Sequence, residues 1–321
     1  AAPCIIAVTV WMYFTLDVMA QTKGINIWSF AGTDNINLLV FFFANMSFWS
    51  ALAIDIPNLT RFLKTPSGEK NFFKRNKNVF IAQLIALPMT QAWIGAIGAI
   101  SFIATGIWNP IEVIQNNGTG FTMVVLLVMV ILSQWSTNAP ANLIPAALAF
   151  INAGAPKLHY FTAVVISGIA GTIIMPWLIL DNLFIFLGYY GAVLSGIGGI
   201  IVADYYVLRK RRLNVPHLYS YEGQFVFAKG FNWAGLIAWA VGGVVAIALP
   251  SISYLVGFAV GFVVYLFVMK TWILPKYPQV ELENLSDDFL GTSADMNWVY
   301  ENENFKRVAS KDLVVVARED R

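Results

Sequence analysis

Residues Ser133, Gln134, Trp135, Ser136, Thr137, Asn138, Ala139, Pro140, Ala141 and Asn142 put hydroxyls, amides and a proline inside an apolar run from about Phe121 to Phe150. A helix of that length crosses a bilayer, since about 20 residues at roughly 1.5 Å each cover the hydrocarbon. Polar groups there are costly unless something satisfies them, so a cluster this dense implies a ligand or ion path. Ser133, Ser136 and Thr137 lie at i, i+3 and i+4 and share one helix face, whereas Asn138 and Asn142, four apart, share another. Pro140 has no N–H, which takes the usual partner from the Ser136 carbonyl. Carbonyls and hydroxyls at bilayer depth are the oxygen ligands a sodium ion needs, and amides suit a neutral heterocycle with adjacent donors and acceptors. Serine and threonine also join helices or bond back to their own carbonyls, so no one of these residues decides between the readings.

Composition bounds the rest. The 321 residues are 58% hydrophobic and 12% charged, with a mean hydropathy of +0.66. That is a polytopic membrane protein and not a soluble domain. One cysteine, Cys4, excludes an internal disulfide framework, and two histidines leave little for a metal centre. No resident cofactor is expected.

Apolar runs long enough to span number eight, at roughly 4–21, 36–60, 79–105, 121–150, 159–180, 183–208, 232–249 and 252–274. Of the 20 Lys and Arg residues, all but Lys23 then fall on alternate connections or, for Lys270, about one turn inside the eighth span, and so on one side. Cationic loops stay in the cytoplasm, which predicts both chain ends there. Residues 1–275 form the transmembrane region; 276–321, rich in acids such as Glu281, Glu283 and Asp287, read as a soluble, partly disordered cytoplasmic tail. The chain begins inside an apolar stretch, with no initiator methionine, basic flank or signal-peptide pattern, and is expected to be a fragment whose earlier helices are absent.

A second segment carries chemistry. Trp49 falls near the middle of its span, away from the interfaces where membrane tryptophans gather, and Asn45 lies one turn earlier on the same face. Such a pair either stacks on and orients a planar ring or packs bulk against a neighbouring helix.

Taken together, three motifs resemble the nucleobase:cation symporter-1 family, the permeases for cytosine, uracil, purines, allantoin, thiamine and hydantoins. They are I-P-N-L-T-R-F after Asp55, W-S-T-N followed by P-A-N over Trp135 to Asn142, and A-D-Y-Y at Ala203 to Tyr206 before a basic loop. The resemblance implies an all-α leucine-transporter-like inverted-repeat fold, with about eight transmembrane helices here matching family helices 5 to 12. It implies that Trp49 stacks on the substrate ring, that Asn142 meets its polar edge, and that Ser133, Ser136 and Thr137 hold sodium. Asn45, Phe48 and Asn138 complete the candidate substrate contacts. The resemblance implies that the remaining sodium ligands and a further stacking tryptophan come from earlier helices, expected to be absent from this fragment.

The expected function is therefore import of a nucleobase or related planar heterocycle by cation symport, with sodium or a proton as coupling ion. The partners are that small molecule and membrane lipid, with no nucleic acid. The alternatives are a proton-coupled amino-acid carrier of the same fold and a non-transporting membrane receptor or subunit. A membrane enzyme is disfavoured, because His159 and His217 have no matching Cys or acid cluster. Asp55 and Asp204 are expected to serve as helix-end caps or local ion pairs, and Gly188, Gly191, Gly196, Gly198 and Gly199 to allow close helix packing and not to bind phosphate.

Overall fold

The computed structural model describes residues 2–28, 37–60, 63, 71–154, 157–220, 222–279, 282, 296–301 and 304–309. Its main helices are α1 (Ala2–Thr22), α2 (Leu38–Thr60), α3 (Lys77–Thr105), α4 (Pro110–Asn117), α5 (Gly120–Ala153), α6 (Tyr160–Ile173), α7 (Leu183–Leu208), α8 (Trp233–Ile247) and α9 (Pro250–Lys276). Six of them, α1, α2, α3, α5, α7 and α9, are long and apolar enough to cross a membrane. The other two expected spans carry the shorter apolar helices α6 and α8. Where the sequence predicts a span over 159–180, the α-helix stops at Ile173; Met175 takes a positive φ of 49° and Pro176 opens a 3-10 segment to Asn182. Large apolar side chains such as Phe14, Phe121, Phe161 and Phe267 stay exposed, as hydrocarbon solvent permits.

The chain divides into two compact units, residues 1–35 with 77–176, and 36–76 with 177–321. In the first, Val8, Met12, Leu16 and Ala20 recur every four residues along α1 and bury a seam against Ile97, Ile100 and Ala104 of α3 and Leu126 of α5. Helix α4 closes this core with Val113 and Ile114, both fully buried. The sequence suggests only a loop over 106–120. Asn109 nevertheless starts a helix there, its side chain accepting from Ile111 N–H at 3.1 Å, with Pro110 in the first turn.

In the second unit α2, α7, α8 and α9 pack through small residues, as expected for these glycines. A Cβ on Gly191 would overlap the Ser47 hydroxyl, one on Gly199 would strike the Phe258 carbonyl, and one on Gly257 would meet Ser195. Ser47 and Ser50 are 1% exposed and donate within α2, to Phe43 O and Ser47 O. Helices without a hydrophobic drive between them gain contact area by this close approach.

The tail is not all irregular. Strands β1 (Met296–Glu301) and β2 (Asn304–Ala309) pair antiparallel, with Met296 opposite Ala309 and Glu301 opposite Asn304. The sequence reading gives only a soluble, partly disordered tail; a β-branched and aromatic run on each side of Asn302 and Glu303 is the hairpin signal that it does not use.

Candidate functional site

Helix α5 changes its winding at the polar cluster. From Gly120 to Asn138 it is α-helical; over Ala139–Leu143 it forms a π turn, with Ile144 N–H reaching back to the Ala139 carbonyl. Pro140 explains the place, since a ring without an N–H removes one i−4 bond and the widened turn lets later donors reach further back. Such turns recur at functional sites because they turn side chains out of α-helical register.

Around this turn Ser133 and the two asparagines line different cavities, with Gln134 shared between the two sides. Ser133 and Gln134 line a cavity of about 300 Å3 whose other walls include Thr9 and Met12 of α1 and Ile97 of α3. Asn138 and Asn142 line a different cavity, of about 640 Å3, opposite Ser167, Gly168, Gly171 and Thr172 of α6. The glycines on α6 leave room there. Asn142 Nδ2 donates to Asn138 Oδ1 at 2.6 Å, and Asn138 Nδ2 to Gln134 Oε1 at 3.1 Å, forming a ladder along one face.

The hydroxyls are turned onto their own helix. Ser133 Oγ donates to Met129 O at 2.7 Å, while Ser136 Oγ and Thr137 Oγ1 both donate to the Ser133 carbonyl at 2.9 Å. Three oxygens are thus gathered at one point, the Ser133 carbonyl and the two hydroxyls bonded to it. A hydroxyl that donates keeps its lone pairs available to a cation. Ser136 and Thr137 are exposed and line neither cavity.

On α2, Asn45 and Trp49 do line one groove, together with Phe42, Met46, Ala53 and Tyr254. Its volume is about 280 Å3. Asn45 Nδ2 also donates to Phe41 O at 2.9 Å. Phe48 is not in the groove; its ring meets Trp49 edge to face at 5.3 Å and points away, with more than half its surface exposed. Tyr254 is a groove residue that the sequence does not single out, since its place on α9 is a matter of tertiary packing. Trp49 belongs to the second unit and Asn142 to the first.

Asp204 forms the expected local ion pair, whereas Asp55 lies inside α2 with Oδ2 buried and without a hydrogen-bond partner among the described residues. Asn58 Nδ2 donates to Asp55 Oδ1 at 2.6 Å, and Arg61 lies outside the described residues. Asp204 sits in a π turn over Ala203–Leu208 and receives Arg209 Nε at 2.7 Å.

The profile of the family described as permease for cytosine/purines, uracil, thiamine, allantoin matches residues 1–274. The chain belongs to that family. Among curated relatives, this permease-family chain is 28% identical over 302 residues to the hydantoin permease of Microbacterium maritypicum, covering 90% of itself and 60% of that protein. It is 30% identical over 236 residues to the purine-uracil permease NCS1 of Arabidopsis thaliana, covering 69% of itself and 37% of that protein. The fold superposes with a TM-score of 0.76 and 24% identity on a nucleobase-cation-symport-1 family transporter solved in a closed conformation with bromovinylhydantoin bound, over 90% of this chain and 64% of that one. The chain therefore spans less than two thirds of these relatives. It is a multi-pass membrane protein of a permease family with a leucine-transporter-like fold, and not an enzyme.

Proposed function

We propose that this chain carries part of the binding machinery of a secondary transporter importing a nucleobase or related planar heterocycle of the cytosine, uracil, allantoin or hydantoin class, coupled to sodium. The observation that carries the reading is the division of α5 at its π turn. Asn138 and Asn142 face one cavity as an amide ladder, while Ser136 and Thr137 converge on the Ser133 carbonyl. An amide offers the paired donor and acceptor that a lactam or ureide edge needs. A carbonyl flanked by two hydroxyls offers three neutral oxygens to a hard monovalent cation. Trp49, with Asn45 beside it and Tyr254 across the groove, supplies a ring face for stacking. The bound heterocycle in the similar transporter and the names of the relatives support this class of substrate.

The test is equilibrium binding of radiolabelled uracil, allantoin and hydantoin to purified protein in sodium and in choline buffer. Sodium-dependent binding of at least one of them, lost in Trp49→Ala, is the expected result. Binding indifferent to sodium but sharpened by acid would replace sodium with a proton as coupling ion. Binding of none would remove the transport reading.

A further inference from the structure

One recess belongs to neither side of α5. At the C-terminal end of α1, Tyr13, Asp17 and Gln21 recur every four residues and face the chain reversal beyond the helix, where Asn26 and Trp28 complete a cavity of about 480 Å3. That size accommodates a small ligand.

The recess is held by its own framework. Gly24 adopts a φ of 71°, which turns the chain, and Ile25 N–H returns to the Ala20 carbonyl at 2.9 Å. Lys23 Nζ donates to the Ala104 carbonyl at 2.6 Å, tying the turn to the end of α3, and Ile27 is buried in the core. Trp28 N–H is held by Asn26 Oδ1 at 2.9 Å, and its indole stands 6.2 Å from the Tyr13 ring. Gln21 Nε2 donates to Asp17 Oδ2 at 2.8 Å, which orients the carboxylate.

What remains to face a ligand is specific. Among the described residues, no hydrogen bond engages Asp17 Oδ1. The Trp28 indole is three-quarters exposed and offers a ring face. A carboxylate inside a membrane helix is costly to keep, which makes a ligand role the first reading for Asp17. An acceptor-only carboxylate calls for N–H groups, and an exposed indole calls for a flat partner.

We propose that this recess is a second, outer binding position for a planar heterocycle bearing N–H groups, with Trp28 as its stacking face and Asp17 as the acceptor of its N–H. The assignment rests on the transporter reading above for the substrate class, and its residues are separate from Trp49 and Asn142. Its place is the Lys23 end of α1, which the positive-inside pattern puts outside the cytoplasm, the side from which an importer loads. Substrate captured there is concentrated at the entrance before it reaches the deeper site.

The experiment uses cysteine protection and uptake. In a Cys4→Ser background, Gln21→Cys is labelled with a membrane-impermeant thiosulfonate in the absence and presence of uracil, allantoin or hydantoin. At least one of these ligands slows labelling; the slowing persists when Trp49→Ala is added and disappears when Trp28→Ala is added. In uptake, Asp17→Asn raises KM about tenfold, the scale of one hydrogen bond to a charged group, with the maximal rate unchanged. Asp17→Glu restores part of the loss. Labelling indifferent to all three ligands overturns the outer site, as does protection that vanishes with Trp49→Ala or an unchanged KM in both Asp17→Asn and Trp28→Ala. Uptake unaffected by Trp49→Ala would instead sink the deeper site while leaving protection at Gln21→Cys in place.

Discussion

Arg209, 2% exposed, donates from Nε to Asp204 Oδ2 at 2.7 Å, and the same carboxylate receives the Tyr265 hydroxyl on Oδ1 at 2.6 Å. The Asp204–Tyr265 bond therefore joins the end of α7 to α9. Arg209 Nη1 continues to Gln279 Oε1 at 3.2 Å, the guanidinium lies 4.8 Å over the Phe225 ring, and Gln279 Nε2 reaches Gln224 O at 3.0 Å. Asp204→Ala removes the carboxylate held at 2.7 Å by a buried guanidinium, and loss of one member of such a pair costs about 3–5 kcal/mol. Thermal unfolding in detergent should show a large fall in midpoint. Tyr265→Phe should cost about 1 kcal/mol, because the carboxylate keeps Arg209. Equal losses in the two variants would mean that the ion pair is not the main element.

Gly261 offers a test of the small-residue seam. A Cβ there would stand 2.8 Å from the Gly196 carbonyl oxygen, so Gly261→Val forces α7 and α9 apart at a cost of about 1–3 kcal/mol or more. Gly98 meets nothing within 4 Å of its added Cβ, and Gly98→Ala should stabilise α3 by about 0.5–1 kcal/mol. Unfolding midpoints that move in the same direction for both variants would contradict the packing assigned to these glycines.

Part of this architecture can be read in the chain without coordinates. The apolar runs and the alternation of basic loops mark the spans because both reflect the solvent a segment needs, a property of composition. The separation of Ser133, Ser136 and Thr137 from Asn138 and Asn142 comes from helical period alone. Features set by three-dimensional neighbours are not legible in the same way. Tyr254 reaches the Trp49 groove only through packing of α9, and Phe48 lies outside it with its ring edge to face with Trp49. Proline marks a break at residue 140, but whether the backbone answers with a kink or a π turn depends on which carbonyls the next turn can reach. Helix α4 is hidden by its brevity, although Asn109, Pro110 and Glu112 spell a helix start.

Pro140→Ala tests what the π turn does. Restoring an N–H allows an α-helical bond to the Ser136 carbonyl and removes the reason for the wider turn over Ala139–Leu143. Asn142 would then change its register against the α6 wall of the cavity it lines, while the i, i+4 spacing keeps it beside Asn138. The variant should be as stable as the parent or more so, with weaker heterocycle binding. Undiminished affinity together with raised stability would assign the π turn to folding alone.

The final prediction separates cation from substrate on one helix. Thr137 Oγ1 and Ser136 Oγ meet at the Ser133 carbonyl, whereas Asn142 lines the cavity against α6. Thr137→Ala removes one oxygen from the cation face and should weaken sodium affinity roughly tenfold, the scale of one contact to a charged group. Asn142→Ala should weaken heterocycle affinity even at saturating sodium. The two effects are linked, because coupling free energy between two sites is reciprocal: a poorer sodium site also lowers apparent substrate affinity when sodium is scarce. High sodium therefore rescues Thr137→Ala and leaves Asn142→Ala impaired. Radiolabelled substrate binding across a sodium series measures both. Rescue of Asn142→Ala by sodium, or failure to rescue Thr137→Ala, would show that the two faces of α5 do not divide the work between ion and ring; wild-type binding that ignores sodium would return the hydroxyls to the back-bonds they already make.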